Sequence, residues 1–151
     1  MEMKHLKLAA VLLWAGLLLM LTGTESLKQL LLYKELTFTF DPSPDFREFF
    51  RWADIRHVHS QWILVKLGHF AGFAMLDLLL MFWLGRKLPS LALSFLFALA
   101  TEVLQLFQNR DGRLYDVMID TAGAFSAVLL FVCLHYVLSK KRVSIPVSNG
   151  K

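Results

Sequence analysis

Lys66 with His69, Glu102 with Gln105, and Asp116 with Asp120 form three polar pairs inside otherwise apolar stretches of this 151-residue chain. Ionisable groups cost about 2.5–3.5 kcal/mol at a helix centre on insertion scales, so they persist in hydrocarbon mainly where they face one another or water. The loop from Asn109 to Asp116 adds Arg110 and Arg113, and a guanidinium forks onto a carboxylate or a phosphate. One account of these arginines is structural, an Arg110–Glu102 or Arg113–Asp116 ion pair. The other is an anion-binding site in which Arg110 and Arg113 grip a phosphate headgroup while Glu102 or His69 moves protons.

The elements that must position these residues are membrane helices. With 56% hydrophobic residues, 13% aromatic residues and a mean hydropathy of +0.53, the chain has more apolar surface than one soluble core hides. Four segments meet the requirement of about 20 mainly apolar residues: Leu6 to Gly23, Trp62 to Leu84, Leu88 to Gln108, and Val117 to Leu138. The expected architecture is an all-α membrane protein, a single domain over residues 1–151 with a long extracytoplasmic loop between the first two helices. The first segment has a rival reading as a cleaved signal peptide, because Lys4 and Lys7 precede the apolar run. No Ala-x-Ala pattern follows, and the run is long enough to span.

Basic residues set the orientation. Lys4 and Lys7, then Arg86 and Lys87, then Lys140, Lys141 and Arg142 flank alternate helix ends without neighbouring acids, which places both termini in the cytoplasm. The net charge of +4 then reads as cytoplasmic anchoring. No basic groove with interleaved aromatics points to nucleic acid. Cys133 stands alone, which excludes an intramolecular disulfide and a thiolate metal cluster, and it reads as a small packing residue.

Between the first two spans, Thr37 to Phe40 alternates as a short strand would, and Asp41-Pro42-Ser43-Pro44 interrupts regular structure. A helix is expected from Asp45, with Glu48 completing a capping-box-like arrangement. Phe46, Phe49, Phe50 and Ala53 would share one face of it, lying on the outer leaflet or packed as a lid on the protein's own helices. Helical arithmetic puts Lys66, His69, Phe73 and Asp77 on one face of the second span, Glu102, Gln105 and Asn109 on one face of the third, and Asp116, Asp120 and Gly123 on one face of the fourth. By the helical rise, Lys66 lies roughly 6 Å below Trp62, Glu102 roughly 9 Å below Gln108, and Asp120 roughly 6 Å below Asp116. The three levels coincide on the outer side, while Asp77 falls near the other leaflet.

The pattern Glu102-x2-Gln105-x4-Arg110-x5-Asp116-x3-Asp120-x2-Gly123, preceded by Lys66-x2-His69, resembles the VanZ-like family of small bacterial membrane proteins. The resemblance covers Leu8 to Leu138, its specific part lying within residues 62–138. Two positions depart from the family: Asp120, where Asn is usual, and Ala127, where Gly is common. The resemblance implies a place in the bacterial cell envelope and a link to antibiotic resistance, as susceptibility to teicoplanin-like lipoglycopeptides. Position by position, it makes Lys66, His69, Glu102, Gln105, Arg110, Asp116 and Asp120 the candidate functional set.

Two classes of function remain open. One is a non-enzymatic envelope protein whose partners are membrane lipids, a lipid-linked cell-wall precursor or a lipoglycopeptide. The other is a membrane-embedded enzyme acting on a phospholipid or polyprenyl-phosphate headgroup, with Arg110 and Arg113 on phosphate and Glu102 and His69 as acid and base. The first is favoured because no nucleophile stands beside a base: Ser60 precedes the second span, and Thr101 points away from the Glu102 face. No cofactor is expected. A metal held by His57, His59 or His69 with carboxylates lacks further ligand spacing, and four spans leave little room for the paired broken helices of a transporter.

Overall fold

In a computed structural model, which describes residues 2–24, 40–53, 60–108 and 110–143, four long helices carry the chain: α1 (Glu2–Gly23), α2 (Ser60–Leu84), α3 (Lys87–Leu106) and α4 (Leu114–Val143). Each is long and apolar enough to cross a bilayer, and the described residues contain no strand. Solvent exposure is inverted relative to a soluble protein. Leu13, Leu64 and Leu130 point outward at 76%, 71% and 55% exposure, whereas Asp77, Glu102 and Asp120 are completely enclosed. Hydrocarbon as solvent selects this arrangement, since polar side chains can be satisfied only inside the bundle.

Helices α2 and α4 make the most extensive pairing in the bundle, and the reason is local. A Cβ on Gly123 would collide with the backbone carbonyl of Phe70, so glycine lets the two backbones touch. Ala124 and Ala127 continue the small, buried side of α4. Helix α1 lies against α2, where Trp14 Nε1 donates to the Gly72 carbonyl at 2.9 Å and Leu18 occupies the space beside Gly72. Gly85, at φ 66°, ends α2 in the left-handed conformation, its N–H closing on Met81 O at 2.8 Å. The chain then enters α3 at Lys87.

The connection from α3 to α4 folds back on the end of α3. Arg110 N–H donates to Gln105 O at 3.0 Å and Gly112 N–H to Arg110 O at 2.9 Å. Gly112 is pressed against the Glu102 carbonyl so closely that no side chain fits there. Helix α4 starts at Leu114, ahead of the expected Val117, so Asp116 lies in its first turn.

The helix expected from Asp45 is not formed. Within the segment 40–53, Glu48–Phe50 forms a 3₁₀ turn, after which the backbone becomes extended at Arg51. Asp45 Oδ1 accepts the Arg47 N–H at 2.9 Å, a local turn that competes with helix. Glu48, which a capping box would fold back toward Asp45, instead pairs with Arg113 at 2.6 Å and Arg51 at 3.1 Å. The segment packs on the C-terminal end of α3: Asp41 N–H donates to Phe107 O at 2.7 Å, and Phe40 and Phe46 flank the Phe107 ring at 6.3 and 5.9 Å. Phe49 is buried, while Phe46, Phe50 and Trp52 remain exposed. Of the expected strand, Thr37 to Thr39 lie outside the described residues, and Phe40 is not in a strand. Cys133 faces outward on α4 instead of packing inside.

Candidate functional site

Three helices bring their polar residues to one layer. From α2, Lys66 places its ammonium 2.7 Å from the Asp116 carboxylate of α4. One turn deeper, His69 Nδ1 lies 3.2 Å from Asp120 Oδ1 of α4 and 4.0 Å from Glu102 Oε1 of α3. The i, i+3 step from Lys66 to His69 and the i, i+4 step from Asp116 to Asp120 therefore run side by side. The Gly123 contact with Phe70 fixes their separation, because Phe70 adjoins His69. Lys66 is also sandwiched by the Trp62 and Tyr115 rings, at 5.5 and 5.2 Å, an attraction that strengthens on desolvation.

Glu102 anchors the layer from α3. Its Oε2 accepts the Arg113 N–H at 3.0 Å, and its Oε1 lies 3.5 Å from Gln105 Nε2. Asp120 has one oxygen on His69, while its second, Oδ2, is buried without a hydrogen-bond partner. One donor atom each from His69, Glu102 and Asp120 lie within 4.8 Å of one another, a grouping that a metal ion can occupy.

The two arginines take different roles. Arg110 Nη1 donates to the Thr22 carbonyl at 2.9 Å and also to that of Thr24, capping the C-terminal end of α1, where carbonyls lack intrahelical partners. Among the described residues, no carboxylate lies within ion-pairing distance of Arg110. Partial burial lowers its pKa, opposed by the charges of Glu102 and Asp111, yet a guanidinium remains cationic. Arg113 is buried; its guanidinium meets Glu48 at 2.6 Å and Asp111 at 2.9 Å. The Arg113 hydrogen bond holds the Glu48 carboxyl below its usual pKa. Arg113 thus ties the segment 40–53 to the α3–α4 connection.

A cavity of about 340 Å³ opens between α1 and α2, with walls of Leu18, Leu21, Leu64, Val65 and Phe73. Its polar lining comes from Thr22, His69 and Arg110. An apolar trough with a cation and an imidazole among its lining groups has the chemistry of a site for an anionic amphiphile.

Lys66, His69, Glu102, Gln105, Asp116 and Asp120 are therefore brought together, and Arg110 joins them through the cavity. Asp77 lies apart, with Ser94 donating to it at 3.0 Å. Sequence reasoning missed Glu48, Tyr115 and the Thr22 and Thr24 carbonyls. Backbone acceptors leave no trace in side-chain spacing, and Glu48 read as a helix cap. His57, His59 and Asn109 lie outside the described residues.

Comparison with known proteins places this arrangement in context. A family model described as VanZ/LLP1 matches residues 7–135. The chain is similar to the uncharacterized membrane protein YwnJ of Bacillus subtilis (strain 168), at 36% identity over 129 residues, covering 85% of this chain and 89% of that protein. No solved structure matches.

Proposed function

The chain belongs to the VanZ/LLP1 family of membrane proteins, and on that premise we propose that it holds an anionic amphiphile of the outer leaflet between α1 and α2. The observation that carries this reading is Arg110: a cation without a carboxylate partner among the described residues, lining a cavity whose walls are mainly apolar. A phosphate headgroup would use the guanidinium face left over from α1 capping, and its acyl or prenyl chain would lie along Leu18, Leu64 and Val65. In this reading both termini are cytoplasmic, the segment 40–53 lies outside the membrane, and the candidate network is Lys66, His69, Glu102, Gln105, Arg110, Asp116 and Asp120. Arg113 anchors the outer segment.

A role in the cell envelope follows from the chemistry of the ligand class. Lipid-linked cell-wall precursors are anionic amphiphiles exposed at the outer leaflet, and lipoglycopeptides act on such precursors; occupancy of the cavity would alter what the antibiotic meets. A second reading rests on His69, which contacts Asp120 and approaches Glu102 while lining the same cavity. An imidazole so placed can pass a proton to or from a bound headgroup. Lipidomics and cell-wall precursor analysis of a deletion strain against wild type separates the two. A holder leaves the chemical species unchanged and alters only antibiotic susceptibility; an enzyme leaves a new or missing species.

A further inference from the structure

We propose that His69, Glu102 and Asp120 form a binding site for one divalent transition-metal ion, of the zinc or manganese class, at the meeting point of α2, α3 and α4. The first ground is geometry. His69 Nδ1 is 3.2 Å from Asp120 Oδ1 and 4.0 Å from Glu102 Oε1, and one donor atom from each residue falls within a 4.8 Å span. Metal bonds of about 2.0–2.2 Å to nitrogen and oxygen need donor pairs no more than about 4.4 Å apart, so small side-chain adjustments close the set around a cation. An imidazole with two carboxylates suits zinc or manganese better than the all-oxygen shells of calcium and magnesium.

The second ground is charge. Lys66 is already committed to Asp116. Among the described residues, Glu102 and Asp120, both completely enclosed, meet His69, the Arg113 N–H and the Gln105 amide. Two buried carboxylates facing one imidazole are under-compensated in a low-dielectric layer. The third ground is the unpartnered oxygen: Asp120 Oδ2 is buried with no donor, which bidentate or bridging coordination would satisfy. The three ligands stand on three helices, and Gly123 against Phe70 locks two of these together, so little ordering remains to be done on binding. His69 also lines the α1–α2 cavity, which leaves room for a water ligand on that side of the imidazole.

This inference concerns the ion and holds whether or not the cavity takes a lipid.

The test uses the full-length, tag-free protein in detergent or nanodiscs, stripped with chelator and titrated with zinc and with manganese. Bound metal is counted by elemental analysis, and the shell is read by X-ray absorption or by the visible spectrum of the cobalt form. The expected result is about one ion per chain, with nitrogen and oxygen ligands, and a raised unfolding temperature. Asp120→Asn and Glu102→Gln keep shape while removing ligand charge. Each is expected to lower affinity by more than the roughly 10–100-fold that loss of a supporting group costs. Asp77→Asn, at a buried acid outside the cluster, is expected to leave binding unchanged. If the stripped wild type takes up no metal, or if the double variant Glu102→Gln/Asp120→Asn binds as tightly as wild type, the site does not exist. Should the double variant fail to fold, the absorption spectrum of the wild-type metal form decides: a shell without histidine nitrogen overturns the assignment.

Discussion

The Lys66 ammonium of α2 and the Asp116 carboxylate of α4 meet at 2.7 Å, with only 16% and 3% of their side chains exposed. This ion pair closes the polar layer toward the start of α4. Breaking a buried pair from one side strands a charge, at about 3–5 kcal/mol, whereas replacing both members with apolar groups is often neutral. Lys66→Met should therefore sharply lower the unfolding temperature in detergent, and Lys66→Met/Asp116→Leu should recover most of the loss. Thermal unfolding of the two variants against wild type checks this. Equal losses in both would show that the pair does more than neutralise itself.

Gly123 is the point of closest approach between α2 and α4. Gly123→Val forces a branched side chain into the Phe70 carbonyl, and overpacking of this kind costs about 1–3 kcal/mol. The expected outcome is a lower unfolding temperature together with a longer His69–Asp120 separation. Gly16, beside which an added Cβ would meet nothing, supplies the control: Gly16→Ala should leave stability unchanged or slightly improved.

The Glu48–Arg113 clamp predicts an acid response of the segment 40–53. Because the folded-state pKa of Glu48 lies below its ordinary value of 4.5, the clamp's contribution is fully present above that value and is lost as pH falls through the lower folded-state pKa. Hydrogen exchange over residues 40–53, corrected for intrinsic rates, should rise in that acid range for wild type. Glu48→Gln should already exchange faster at neutral pH and show a smaller acid-dependent increase.

The proposed orientation is open to cysteine labelling in a Cys133→Ser background. Cysteines at Ser43 and Asp111, both exposed, should react with an impermeant reagent applied outside intact cells, and one at Ser148 should not. Asp111 is the better reporter of its loop than Gly112, whose position admits no side chain. Reaction at Ser148 with protection at Ser43 would invert the topology.

Much of this arrangement was legible from the chain alone, for physical reasons. Four apolar runs of bilayer length fix four helices, and costly charges at a common depth must turn inward, so the helical rise puts Lys66, Glu102 and Asp120 at one level. Who pairs with whom was not legible. Arg110 caps the carbonyls of α1, a partnership invisible in side-chain spacing. Arg113 is claimed by Glu48, whose position reads locally as a helix cap until the tertiary ion pair draws it away. The Asp45 helix failed for the same reason: local capping potential lost to long-range pairing. The α1–α2 cavity arises from how two helices pack, so periodicity could suggest its lining residues without revealing an opening.

Native mass spectrometry of the protein released from its own membrane tests most directly whether Arg110 receives an anionic headgroup. Arg110→Lys keeps a positive charge and a hydrogen-bond donor but loses the planar fork that can cap α1 and grip a phosphate together. The prediction is a wild-type protein that retains an anionic lipid or polyprenyl phosphate through the gas phase, and an Arg110→Lys variant that folds at normal abundance but retains it at least about tenfold less, a loss of about 1.4 kcal/mol. Wild-type protein emerging lipid-free, or an Arg110→Lys variant retaining the same lipid to the same extent, would contradict the account.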